Sequence, residues 1–183
     1  LQHLSREKQL KIARETLEVF APLADRLNMG RVRVQLEELA FSYLEPKEFK
    51  RLQRVMKDRL GKSHRKLARV RHDVDKKLTE ESIDHQMDGR IKSVYSLYKK
   101  LQKVDSIDDI YDLIALRIIV EDAETCYRVL GIIHAMYRPM VNRIKDYIAR
   151  PKPNGYQSLH TTIITENEQI VEFQIRTATM HDY

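Results

Sequence analysis

Apolar positions change their spacing partway along the chain. As far as about residue 80 they recur every three or four residues, as on a helix with one buried face. Beyond it they alternate or run together, as in strands. The first stripe, Leu10, Ala13, Leu17, Phe20, Ala24 and Leu27, predicts one amphipathic helix over 4–28, stopped by Asn28-Met29-Gly30. A second helix carries Val34, Leu36, Leu39 and Phe41 and ends at Glu45-Pro46. Pro46 suits a first helical position and opens a long segment over roughly 46–80. Its stripe of Phe49, Leu52, Val55, Met56 and Leu60 is narrow and its other faces are charged, as in a connecting helix with a solvated side.

After Leu78 the pattern predicts a strand in "SIDHQMDGRIKS", then a helix in "SVYSLYKKL" with Val94, Leu97, Tyr98 and Leu101 inward. "LIALRIIV" is continuously apolar, hence a buried strand. Residues 122–137 read as a helix, "SLHTTIIT" as a strand, and "QIVEFQIRT" as a strictly alternating one. Strands interleaved with helices at this spacing give an α+β or α/β domain fronted by helices.

Charge refines this picture. The formal net charge of the 183 residues is +6, which favours a polyanionic partner without choosing among nucleic acid, nucleotide and membrane. The excess is local: Lys47 to Lys77 holds 13 Lys/Arg against 4 Asp/Glu, so the remainder is slightly acidic. Phe49 is the only aromatic in that run, so base stacking lacks a platform and a solvated helix face is the better reading than RNA binding. The single cysteine, Cys126, lies among apolar residues at helical spacing and reads as packing in a reducing compartment. No signal peptide opens the chain and no apolar run is long enough to span a bilayer, so a cytoplasmic protein with no membrane partner is expected. Leu1 falls in mid-pattern, as in an excised fragment.

Two short motifs mislead. "GKS" at 61–63 has Met56 where a P-loop needs glycine, and no buried strand precedes it. His181-Asp182 resembles a phosphohydrolase metal dipeptide, but the seven histidines form no HxxxH and no paired cluster.

The chemistry lies elsewhere. Along "IVEFQIRT" a strand sends Val171, Phe173 and Ile175 to one face and Glu172, Gln174 and Arg176 to the other. Such a polar row is costly unless it is wet or bound to something polar; an edge strand facing water is the plain alternative. Asp112 stands at the mouth of "LIALRIIV" as a candidate metal ligand, and Arg117 inside that run needs a partner or a cleft. Five residues separate them, so a regular strand puts them on opposite faces unless it bends or Asp112 lies in the preceding turn. Arg90 and Lys92 share a strand face, and Lys92, Ser96 and Lys100 recur at intervals of four beside a helix start, a polyphosphate cradle in outline. In "PKPNGYQSLH", Pro151 and Pro153 stiffen a loop, Asn154-Gly155 makes a turn, and Lys152 and Tyr156 flank it. Asp112 and Glu172, with Arg90, Lys92, Lys100, Arg117, Lys145, Lys152 and Arg176, are the parts of phosphoryl-type transfer: carboxylates for Mg²⁺ and cations for phosphates.

"GRIKSVYSLYKKL", "DIYDLIALRIIV", "CYRVLGIIHAMYRP", "RIKDYIARPKPNGYQSLHTT" and "VEFQIRTATMHDY", in that order, resemble the synthetase domain of the RelA/SpoT homologue family. "ARETLEVFAPLADRLNMGRVRVQLEELAFSYL" resembles the helices that close the hydrolase domain of long members. The organisation implied is 1–45 from those helices, 46–80 as a basic connecting helix, and 81–183 as a synthetase domain that continues past Tyr183. The hydrolase metal motifs would lie before Leu1. The fold implied is α+β, a mixed sheet flanked by helices and related to nucleotidyltransferases.

The activity implied is transfer of the β,γ-pyrophosphate of ATP to the 3′-hydroxyl of GDP or GTP, with Mg²⁺. A catalytically silent nucleotide-binding regulatory module is the alternative. By motif position Asp112 and Glu172 match the Mg²⁺-binding acids, Glu172 also activating the 3′-hydroxyl. Arg90 and Arg117 match residues flanking adenine, and Lys92, Ser96 and Lys100 match ATP-phosphate contacts. Tyr156 matches the ring that stacks on guanine, so its ring is expected to matter and its hydroxyl little. Lys152, Asn154, Lys145, Gln174 and His181 fall on the acceptor side, with Arg176 toward phosphate. "Arg143-Ile144-Lys145-Asp146" resembles the basic variant found in bifunctional members. In the parent protein, ribosome and tRNA association through regions outside this chain is implied.

Overall fold

A computed structural model describes residues 1–106 and 114–182. Pro46 begins one helix, α4 (Pro46–Glu80), at the bounds expected for the connecting segment. The chain divides into two compact units, Leu1–Asp58 with Ser93–Asp109, and Arg59–Lys92 with Ile110–Tyr183.

The first unit contains α1 (Arg6–Glu15), a π-helical turn at Thr16–Phe20, α2 (Ala21–Arg26), α3 (Gly30–Leu44), the start of α4, and α5 (Val94–Leu101). The π turn corrects the first predicted stripe. A wide turn holds an extra residue and rotates everything after it about the axis. Phe20 and Leu27, expected inside, are 49% and 62% exposed, while Ala13 and Ala24 of the same stripe are buried as expected and Ala21 joins them. On α3, Leu39 is likewise exposed, and the inward positions are Glu37, Ala40 and Phe41. Lys99 Nζ, 3.4 Å from Glu37 Oε1, makes the buried carboxylate tolerable. Phe41 packs on Tyr98 with centroids 4.6 Å apart and also touches Phe49 and Tyr95, the aromatic centre of this unit.

The second unit is built on a mixed sheet. β1 (His85–Ile91) runs antiparallel to β2 (Ile114–Val120), which is parallel to β6 (Ile170–Thr177); β6 is antiparallel to β5 (Leu159–Ile164). The short β3 (Arg138–Pro139) and β4 (Lys145–Asp146), which no sequence signal announced, both pair with β5. The spatial order β1-β2-β6-β5-β3 makes β6 an interior strand. Its row of Glu172, Gln174 and Arg176 therefore does not belong to an edge strand.

The register puts Leu116, Ile118, Val171, Phe173, Ile175, Leu159 and Ile163 on one face. That face joins Leu67, Val70, Val74 and Leu78 of α4 and Cys126, Val129 and Ile133 of α6 (Ala123–Met136) in one buried core. Each fully buried side chain of this size contributes about 1.5–3 kcal/mol. Cys126 is buried here, and burial pushes its thiol up to about 11. The apolar face of α4 continues past the predicted Leu60 into this core. α7 (Ala178–Asp182) follows β6 directly. Among the described residues, no helix is long and apolar enough to cross a membrane.

Candidate functional site

The opposite face of the sheet collects the polar residues. Strand register lines up Asp88, Arg117, Gln174, His160 and Lys145 in one row from β1 to β4, and Arg90, Ala115, Glu172 and Thr162 in the next. Alternation on each strand selects the face, and pairing between distant segments assembles the rows.

Gln174 is the hub. Its Oε1 accepts from Arg90 Nη1 at 3.1 Å and from Arg176 Nη2 at 3.0 Å, and its Nε2 donates to Glu172 Oε1 at 3.0 Å. The other oxygen of Glu172 meets Lys92 Nζ at 3.2 Å in a largely buried ion pair, 13% and 21% exposed. Arg117 finds the partner its position demanded. It forms a bidentate pair with Asp88 at 3.0 and 2.7 Å, a residue missed in the sequence although it alternates with Arg90. Arg117 holds the Asp88 carboxyl below its usual range, and His181 and Arg71 add to the effect.

The loop before β5 forms a turn. Lys152 carbonyl accepts from Gly155 N–H at 2.8 Å, with Pro153 and Asn154 at the corner and Gly155 in the left-handed region at φ 84°. Asn154 Oδ1 accepts from Tyr156 N–H at 3.0 Å, so its resolved bond shapes the turn. Asp146 anchors the other end, accepting from Tyr127 OH at 2.8 Å and from the amides of Ile148 and Ala149. Lys152 Nζ lies 4.9 Å and 5.1 Å from the ring centroids of Tyr147 and Tyr156. Tyr156 OH lies 2.7 Å from Arg176 Nη2 and 2.8 Å from His160 Nε2. The hydroxyl thus has two protein partners. Tyr147 and His160 also escaped the sequence reading, because only strand pairing and loop closure bring them to this ring.

The field at this face is positive. His160 is pushed down to about 3, first by burial and then by Arg176, Lys152, Arg90 and Lys92. Arg176 is 4% exposed; burial lowers it, Arg90 and Arg117 repel it, and its Nε has no hydrogen-bond partner among the described residues. Five cations, Arg90, Lys92, Arg117, Lys152 and Arg176, face two described carboxylates, Asp88 and Glu172. Such a surface binds anions.

The remaining expected residues are placed as follows. Lys145 is exposed opposite His160. Ser96 and Lys100 lie on α5 in the first unit. There the Ser96 amide donates to Ser93 Oγ at 3.1 Å and the Tyr95 amide to Glu38 Oε1 at 2.6 Å. The Ser96 hydroxyl in turn accepts from Ser93 Oγ at 2.8 Å. Asp112 lies outside the described residues.

Comparisons with known proteins show what the chain is similar to. A GTP pyrophosphokinase of Myxococcus xanthus is 46% identical over 182 residues, 99% of this chain and 24% of that protein. The bifunctional (p)ppGpp synthase/hydrolase SpoT of Escherichia coli K12 is 44% identical over 175 residues, 95% of this chain and 25% of that protein. The chain thus spans about a quarter of the length of these curated relatives. The crystal structure of small alarmone synthetase 2 from Bacillus subtilis superposes with a TM-score of 0.57 at 29% identity, covering 69% of this chain and 74% of that one. Residues 89–183 match the family described as the region found in RelA / SpoT proteins, and the chain belongs to that family.

Proposed function

We propose that the chain transfers the β,γ-pyrophosphate of ATP to the 3′-hydroxyl of GDP or GTP. The observation that carries this reading is the cationic sheet face gathered around Glu172, with the Tyr156 ring beside it. Relatives named GTP pyrophosphokinase, similar across nearly the whole chain, support it. In the reaction the 3′-oxygen bonds to the β-phosphorus of ATP, the bond from that phosphorus to the α,β-bridging oxygen breaks, and AMP leaves. Transfer of this kind asks the protein mostly for positioning and for charge against the phosphates. Arg90, Lys92, Arg117 and Arg176 supply the charge. Glu172 takes the proton of the 3′-hydroxyl, Lys92 moving from the carboxylate to a phosphate. Tyr156 stacks on guanine.

Mg²⁺ fits these residues. It is usually held by one or two carboxylates together with substrate phosphates, and Glu172 and Asp112 supply that number. Glu172 Oε2, paired with Lys92 at 3.2 Å, would exchange that ammonium group for the ion. When bound, the ion neutralises charge on the transferring phosphates.

Incubation with ATP, GDP and Mg²⁺ tests the proposal: AMP and a 3′-pyrophosphorylated guanosine nucleotide are expected in equal amounts. Glu172→Gln should lower the rate by roughly 10²–10⁴-fold, the range of general-base assistance. Binding of both nucleotides without AMP release would overturn the proposal and leave a silent nucleotide-binding module.

A further inference from the structure

The two neighbours of the Tyr156 hydroxyl have distinguishable roles. A guanidinium only donates, so at 2.7 Å Arg176 Nη2 must give a proton to the phenolic oxygen. The hydroxyl's own proton has His160 Nε2, 2.8 Å away, as an acceptor within reach, although the same oxygen has a second lone pair that an Nε2–H would fill. Donation to Nε2 requires a lone pair there and so the imidazole proton on Nδ1. The rings hold the same arrangement by packing. His160 stands edge-on to Tyr156 and to Tyr147, with centroids 5.8 and 5.4 Å apart, and Tyr147 meets Tyr156 at 6.0 Å.

We propose that His160 is a positioning residue: its Nε2 accepts the Tyr156 hydroxyl proton and, with Arg176 on the same oxygen, fixes the plane of the Tyr156 ring for a guanine base. This rests on the reading of Tyr156 as the base platform. A tyrosine ring turns freely about its χ angles unless packing or its hydroxyl holds it, and a base stacks only on a ring already presented face-on. Here the hydroxyl is held from two directions, by β5 through His160 and by β6 through Arg176. Burial, and then the surrounding cations, keep the imidazole neutral and so able to accept. Glu172, Gln174 and the phosphate-facing cations are left to the chemistry; His160 acts through Tyr156.

The test has a spectroscopic arm and a binding arm. Nitrogen NMR of the histidine-labelled chain at pH 7 should show His160 protonated at Nδ1, with its Nε2 resonance moving when Tyr156→Phe removes the donor. A His160 protonated at Nε2 overturns the proposal, and this measurement on the wild-type chain needs no variant to fold. In the binding arm, His160→Phe keeps an aromatic ring and removes the acceptor. GDP affinity should fall roughly two- to tenfold, the worth of one hydrogen bond, with ATP affinity unchanged. His160→Gln, whose amide oxygen can accept, should recover part of the loss. Equal losses for GDP and ATP in His160→Phe would also overturn it. The platform reading fails separately: if Tyr156→Ala leaves GDP affinity intact while the Nδ1–H form is seen, the clamp stands and the base lies elsewhere.

Discussion

At the scale of single residues, His160 links the site to pH. Its folded-state value of about 3 lies far below the ordinary 6.5, chiefly through burial and then through Arg176, Lys152, Arg90 and Lys92. Between those values the unfolded chain binds a proton that the folded chain refuses. The contribution to stability is therefore complete above about pH 6.5 and is lost as the pH falls toward 3, at up to about 1.4 kcal/mol per pH unit. Urea midpoints between pH 7.5 and 4.5 should fall for the wild type and fall less steeply for His160→Gln; parallel curves would place the acid sensitivity elsewhere. Residues of this site were legible to unequal degrees. Glu172, Gln174 and Arg176 could be read from alternation along one strand, since the period of two fixes their face. Asp88 and His160 could not. Asp88 meets Arg117 across 29 positions of sequence and His160 lies opposite Gln174 across a strand pair, so their roles exist only in the register.

Among the elements, α5 shows how a helix start can be read correctly while one of its caps stays hidden. "SVYSLYKKL" predicts the helix, and Ser93 caps it by accepting from Ser96 N–H. What the pattern does not contain is Glu38, on another helix, whose carboxylate accepts the Tyr95 amide at 2.6 Å. A carboxylate at a helix N-terminus is favoured by the exposed amides and by the helix dipole. Glu38→Ala should therefore cost about 1–2 kcal/mol, the range of capping bonds, with Glu38→Gln recovering most of it. Urea unfolding of the three proteins checks this, and an unchanged midpoint for Glu38→Ala would mean that water replaces the carboxylate. The π turn at Thr16–Phe20 marks the opposite limit. Periodicity extends a phase along the chain, and one inserted residue breaks the extrapolation without any residue type to announce it. α4, lacking such a break, buries Leu52 and Met56 of its predicted stripe, with Phe49, Val55 and Leu60 half-buried.

Across the whole molecule, α4 is the element that both compact units draw upon. Leu52 and Met56 are buried in the first unit, and Leu67, Val70, Val74 and Leu78 are buried in the second. Between these two groups lies Gly61, in the interior of the helix. A β-carbon built there meets nothing within 4 Å. Glycine at such a position is a poor helix former, because it has the most backbone freedom to lose. Alanine should thus stabilise the fold by about 0.8–1 kcal/mol without altering any contact. Where the gain is felt is the informative part. In one continuous helix, holding position 61 in the helical state supports the hydrogen-bond ladder on both sides, since propagation is cooperative. Hydrogen exchange of Gly61→Ala should show added protection of α4 amides before and after residue 61, with catalytic residues untouched. Protection that rises on one side only would mean that the helix is interrupted at Gly61, its two halves unfolding independently.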